Sequence, residues 1–245
     1  MIRTLNSNIS VDCVVFGFDF EQLYVLLVER QYHDPVTGKE IFNDLTLMGN
    51  HIYNNEDLGE AAERILNELT GLSDIYLQQF GAFGNPLRLS KPNDQLWLAA
   101  SQRDPKNMIV TVGYFSLLNN QDVTLQWKGR NVSWYPVNEV GELAFDHKVI
   151  LDAALTALRR SLMDEPIGFE LLPSKFTLTQ LQKLYEAVFG TELDKRNFRK
   201  RIAKTKYLIP LDEKQTGVAH KPARLYMFSR EVYEKTKREL WDFNI

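Results

Sequence analysis

Apolar residues crowd two neighbouring stretches near the start of the chain, residues 10–18 and 23–30, where Val, Leu, Phe and Tyr follow one another at strand length. The short bridge GFDFEQ predicts a turn that joins them as adjacent strands. After a loop holding Asp34-Pro35 and Thr37-Gly38, the run Ile41–Met48 predicts another strand, ended by Gly49. The period then changes. Leu58, Ala61, Ala62, Ile65, Leu66 and Leu69 recur at i, i+3, i+4 and i+7, which puts them on one face of a helix over 57–70, with Gly71 as its C-cap. Strands are predicted again at Ile75–Phe83, Met108–Leu117 and Val132–Tyr135, and a long helix at Lys148–Met163. Mixed strands with two long helices give an α/β or α+β domain.

At Asp164-Glu165-Pro166-Ile167-Gly168 an acidic, Pro- and Gly-bearing link leads into shorter elements, so we divide the chain into residues 1–165 and 166–245. Thr177 with Gln180 three residues on is a capping-box signature, and Leu181, Leu184, Tyr185 and Val188 form a helical stripe that stops at Gly190. The turn Thr191–Leu193 leads to a second helix with Asp194 as its N-cap, in which Phe198 and Ile202 share the inner face. Two strand-like runs, Tyr207–Leu211 and Ala223–Phe228, flank a polar loop carrying Lys214, His220 and Lys221.

Charge sharpens this division. The 245 residues carry a formal net charge of -3, but residues 1–168 hold 13 Lys and Arg against 22 Asp and Glu, whereas residues 169–245 hold 16 against 10. From Lys195 to Lys206 there are seven cations and no acid. An acidic body with a basic module suggests that the module faces a polyanion, the alternative being a solvated charged face. With 44% hydrophobic residues the chain can bury a core, while its longest apolar runs are far short of the roughly 20 residues needed to span a bilayer. The start, MIRTLNSNIS, lacks an export signal, so the expected location is cytoplasmic and no membrane partner is expected. Cys13, a single cysteine inside an apolar run, is expected to be a buried small hydrophobe rather than a nucleophile.

Residues 50–72 read NHIYNNEDLGEAAERILNELTGL, which resembles the Nudix box: Gly, five residues, Glu, seven residues, then Arg-Glu-apolar-x-Glu-Glu-x-Gly-apolar. Glu56, Arg64, Leu66, Glu68, Gly71 and Leu72 fall on matching positions, whereas Asn50, Ile65 and Leu69 replace Gly, Glu and Glu. Asn tolerates a left-handed backbone, so the first change is compatible with a loop there. The other two remove carboxylates that the family uses to gather divalent cations, which demand oxygen ligands. The expectation is a Nudix fold without catalysis, metal or cofactor. Trp134-Tyr135-Pro136-Val137, Leu143-Ala144-Phe145-Asp146-His147, Leu171-Leu172-Pro173, the stretch Phe176–Gln182, Leu193–Lys200 and Arg224-Leu225-Tyr226 resemble the Nudix-related bacterial transcriptional regulators. That resemblance implies a mixed-sheet α/β/α sandwich that senses an effector, a C-terminal winged helix-turn-helix, and a homodimer on a palindromic DNA operator.

Candidate site residues follow. Arg bridges guanine and Asn adenine in the major groove, whereas Lys anchors phosphates, so Lys195, Arg196, Asn197, Arg199, Lys200 and Lys204, with Lys221 and Arg224 on the hairpin, are the expected DNA contacts. Glu56, Glu68, His51 and Trp97 are expected to line the effector site. His147 at a helix start is expected to cap or pack rather than to act as a base. The segment Leu87–Gln102 is longer than the family's usual connection before Arg103-Asp104-Pro105, and Arg88 and Lys91 are its cations. The resemblance allows two effectors, a pentose such as arabinose or ADP-ribose. The lost metal ligands and Trp97, an aromatic face for a sugar, favour the pentose and a role in carbohydrate metabolism over ADP-ribose sensing in NAD metabolism. The competing readings are an active Nudix hydrolase of nucleoside-diphosphate derivatives and an RNA-binding relative.

Overall fold

A computed structural model describes residues 4–71, 73, 75–101, 108–118, 131–219 and 221–241, with the side chains of residues 69, 70 and 237–241 left outside that description. Leu72, the stretch Gln102–Pro105 and His220 therefore lie outside the described residues, as does the Leu69 side chain.

Strand β1 (Leu5–Phe18) organises the first domain because both of its faces are apolar. Successive side chains of a strand point to opposite sides, and here Val14, Phe16 and Phe18 enter one core while Val11, Cys13 and Val15 enter the other. Strand β2 (Leu23–His33) does the same with Val25 and Leu27 on one side and Leu26 and Val28 on the other. A strand greasy on both faces must sit between layers, and β1 is central in a seven-stranded mixed sheet. It pairs antiparallel with β2 at its C-terminal end, antiparallel with β4 (Met48–Tyr53) at its N-terminal end, and parallel with β6 (Val110–Leu118) along its other edge. The outer strands are β3 (Glu40–Thr46) and β7 (Val132–Pro136) on β2, and β5 (Leu77–Phe83) on β6.

Helix α1 (Leu58–Thr70) covers one face with Ala61, Ala62, Ile65 and Leu66. Its ends are stopped chemically: Asp57 and Glu60 form a reciprocal capping box, and Gly71 takes the left-handed conformation at φ 72°. Helix α3 (His147–Asp164) covers the opposite face with Ile150, Leu151, Ala154, Leu158 and Leu162, completing the α/β/α sandwich.

The structure departs from the expected elements in three places. Gly49 does not end a strand: the chain breaks at Leu47 and resumes as β4, in which Gly49 pairs with Asp12. Packing explains the glycine, since a Cβ there would collide with Asp12 Oδ1. Asn50 sits in β4 opposite Val11 and is not among the residues with positive φ, so its tolerance of a left-handed backbone is irrelevant. Second, the segment after Leu87 contains helix α2 (Pro92–Ala100), with Pro92 at the first turn, where its missing N–H is not needed. Third, helix α6 (Arg230–Trp241) closes the chain, its start marked by Ser229, whose Oγ accepts from Val232 N at 3.3 Å.

The second module follows a short 3-10 helix at Ile167–Leu171. It comprises α4 (Leu178–Phe189), α5 (Lys195–Ile202) and a hairpin of β8 (Leu208–Lys214) with β9 (Arg224–Phe228). Thr177 and Gln180 form the expected capping box, and Gly190 is left-handed at φ 66°. Leu181, Leu184, Val188 and Phe198 share one hydrophobic core with Leu158 and Leu162 of α3, so no gap in packing marks the boundary at residue 165. Gly168 permits this contact, because a Cβ there would lie 2.7 Å from Leu162 Cδ2.

Candidate functional site

A cleft of about 490 Å³ opens between the N-terminal end of α3, the strands around Gly49 and helix α2. Of the residues expected at the effector site, Trp97, His51 and Glu68 line this cleft, together with Asp12, Arg30, Ile65, Arg88, Phe145 and His147. Its floor is built from paired charges. Arg88 donates from Nη2 to Asp146 Oδ1 at 2.8 Å and from Nε to Asp146 Oδ2 at 3.0 Å, and it reaches Asp12 Oδ2 at 3.4 Å. Burial works against its charge, but the bonds to Asp146 and the charges of Asp12 and Asp146 outweigh burial and raise its pKa above the ordinary value.

His147 behaves as the packing residue expected of it. Its Nδ1 accepts from Leu47 N at 2.9 Å, which leaves the proton on Nε2, 3.7 Å from Asp12 Oδ2. Burial holds its pKa below 6.5 against the opposing pull of Asp12, so the ring is neutral at physiological pH. His51 is buried and its Nδ1 donates to Ile9 O at 3.1 Å, which ties β4 to β1. Cys13 is fully buried, and burial together with the Asp12 charge raises its thiol pKa strongly, in keeping with an inert hydrophobe.

One expected residue, Glu56, lies elsewhere. Glu56 does not line this cleft: its carboxylate pairs with Arg64 at 2.6 and 2.8 Å and accepts from Tyr53 N, so it fastens the loop before α1 to the helix. Lys91 also points elsewhere, donating to Leu143 O at 2.8 Å. Glu68 remains at the rim, its side chain 51% exposed. Ile65 is buried against the sheet, in the place where the Nudix pattern has a carboxylate. Among the described residues no group of three or more His, Cys, Asp or Glu is arranged to hold a metal ion. No described helix is long and apolar enough to cross a membrane.

Arg30 is one of the cleft residues that sequence reading missed. It is 2% exposed on β2 and forks onto Asp44 with two bonds of 2.7 Å, while Nη2 also bonds Asp94 of α2 at 2.7 Å. An arginine two residues past the apolar run Leu23–Val28 in the same predicted strand was the available signal, since an unpaired charge could not be buried there.

The basic module presents its expected face. Asp194 accepts from Asn197 N at 2.8 Å and caps α5, Phe198 is buried beneath it, and Lys195, Arg196, Asn197, Arg199 and Lys200 are all exposed, with Lys204 just past the helix end. Lys221 is exposed at the hairpin. Arg224 serves the hairpin itself: Nε donates to Leu211 O at 2.7 Å and Nη2 to Asp212 at 3.1 Å, so its guanidinium is already engaged.

The comparisons with known proteins bear on both parts. The NUDIX domain model matches residues 6–154. The NrtR DNA-binding winged helix domain model matches residues 168–228. NrtR from Shewanella oneidensis is 30% identical in its free crystal structure, with a TM-score of 0.68 over 90% of this chain and 94% of that one. The chain belongs to the Nudix family, in its NrtR-type branch. In complex with a 27mer DNA, the Shewanella protein is 28% identical with a TM-score of 0.70, covering 92% of this chain and 95% of its own. An "ADPR responsive transcriptional repressor NtrR" from Acinetobacter baylyi is 29% identical over 231 residues, which cover 92% of this chain and 83% of the relative. This NrtR-type chain is thus a Nudix domain joined to a DNA-binding winged helix, the architecture of a transcriptional regulator.

Proposed function

We propose that this protein is an ADP-ribose-responsive transcriptional repressor that binds a palindromic duplex operator as a homodimer. The observation that carries this reading is the placement of the cleft at the head of α3, whose other half lies in the core of the DNA-binding module. Phe145 and His147 line the cleft, Asp146 and His147 open α3, and Arg159 near the other end donates to Val188 O of α4 at 2.8 Å. An effector that shifts the start of α3 therefore acts on the seat of α4, and through it on α5. A ligand changes the equilibrium only through its different affinities for two arrangements, and a small rotation suffices because paired recognition helices must meet half-sites about 34–36 Å apart.

The preference for a pentose gives way to ADP-ribose. The Acinetobacter relative is described as ADPR responsive, and the cleft volume of about 490 Å³ lies within the roughly 300–1,000 Å³ usual for ligand pockets, more than one pentose fills. The deciding measurement is fluorescence anisotropy on a duplex selected by the protein from random sequence. ADP-ribose is expected to shift the affinity and arabinose or ribose to leave it unchanged; a response to the pentose with none to ADP-ribose overturns the reading.

The domain senses without turnover in this reading, because Ile65 supplies no oxygen ligand and Glu56 is held by Arg64. Incubation with ADP-ribose and Mg²⁺ or Mn²⁺ is expected to match a protein-free control, and hydrolysis abolished by Glu68→Gln contradicts it.

A further inference from the structure

Arg30 buries more hydrogen-bonding capacity than it uses. Nε and Nη2 are satisfied by Asp44 and Asp94, but Nη1 is buried with no partner among the described residues. The guanidinium carbon lies 5.1 Å from the Phe42 ring centroid, 5.5 Å from Trp97 and 4.7 Å from Phe145. Aromatic faces attract the cation but accept no full hydrogen bond from Nη1. A buried donor left unmade is rare in folded proteins and needs an explanation, and an acceptor supplied by a ligand is one that a cleft position allows. Arg30, Trp97 and Phe145 all line the cleft.

Charge narrows what that partner is. Arg30 faces Asp44 and Asp94, and Arg88 faces Asp12 and Asp146, so two guanidinium groups meet four carboxylates, with Glu29 and Glu68 also lining the cleft. An incoming phosphate would add charge to a region already short of cations, whereas a hydroxyl, ring nitrogen or carbonyl would take the free N–H without that penalty. We propose that the Arg30–Trp97 end of the cleft receives an uncharged acceptor group of the effector, a sugar hydroxyl or a base atom, and that the phosphates lie away from it. This assignment rests on the nucleotide-sugar reading above and adds the direction in which such a ligand lies. Nη1 has no solvent access, so the acceptor reaches it only when one of the surrounding rings turns aside. Asp94 links the same place to the head of α3, since its Oδ2 accepts from Phe145 N at 3.0 Å.

The test is isothermal titration of the full-length protein and its Arg30→Lys variant with ADP-ribose, adenosine, D-ribose and pyrophosphate, at low and high ionic strength. Wild type is expected to bind ADP-ribose, with affinity about tenfold lower in the variant, the loss of one hydrogen bond from a charged donor. That loss is expected to be equal at both ionic strengths, and pyrophosphate is expected to compete equally well against both proteins. A loss that shrinks in high salt, or pyrophosphate binding that disappears with Arg30, places a phosphate there and overturns the proposal, as do unchanged affinities. Should Arg30→Lys fail to fold, the emission difference between wild type and Trp97→Phe decides: it must respond to adenosine or D-ribose and not to pyrophosphate. If wild type ignores ADP-ribose, the effector reading falls. The Arg30 assignment then fails only if adenosine and D-ribose are ignored too.

Discussion

Arg30 and Arg88 in the cleft are each buried between two carboxylates, whereas Arg196 and Arg199 on α5 stand exposed and form no ion pair among the described residues. The same side chain thus does two jobs. In the cleft the guanidinium fork fixes elements to one another: Arg30 holds β2, β3 and α2 together, and Arg88 ties the segment before α2 to β1 and the start of α3. On α5 the cations are kept free of local partners, which leaves them available to phosphates and base edges.

The sharpest way to break this contrast is Arg88→Met. It strands Asp12 and Asp146 in a buried setting, so a loss of about 3–5 kcal/mol in unfolding free energy is expected in urea titration. A variant as stable as wild type shows that the pair is dispensable. On the other side of the contrast, Arg196→Ala or Arg199→Ala is expected to leave the melting temperature alone and to weaken operator binding by about 1–3 kcal/mol if the side chain meets a base. Equal losses on operator and random duplex would assign that residue to phosphate. Smaller again is Thr177→Ala, which removes the capping oxygen of α4 and is expected to cost about 1 kcal/mol. Last comes pH. The folded-state pKa of His147 is depressed, so its contribution is complete above the ordinary value of 6.5 and is lost as pH falls from there through the folded value. Replacing His147 by Gln is expected to flatten that part of the stability profile, and an unchanged profile would assign the slope to other groups.

What could be read from sequence was whatever local chemistry fixes. The apolar run in β1, the stripe of α1 from Leu58 to Leu66 with Gly71 behind it, and the Thr177–Gln180 box each lie within one short window, and all three stand as expected. Helix α2 was illegible for the opposite reason. Its apolar positions form no clear stripe, and what holds it is Asp94 bonded to Arg30, 64 residues away in sequence. Glu56 shows the other limit: its position in the Nudix pattern was right, but the pattern does not reveal that Arg64 occupies its carboxylate. Arg30 escaped notice because its partners come from two distant elements.

The unbroken packing from α3 into the DNA-binding module has a consequence for anyone recombining such proteins. A cut at residue 165 would leave Leu158 and Leu162 bare on one fragment and Leu171, Leu181 and Leu184 bare on the other, two oily scars with a strong tendency to aggregate. Because α3 also covers the sheet with Ile150, Leu151 and Ala154, a splice upstream of it bares Phe16 and Phe18 instead, so exchanging sensors between regulators of this build requires matched packing on both sides of the helix.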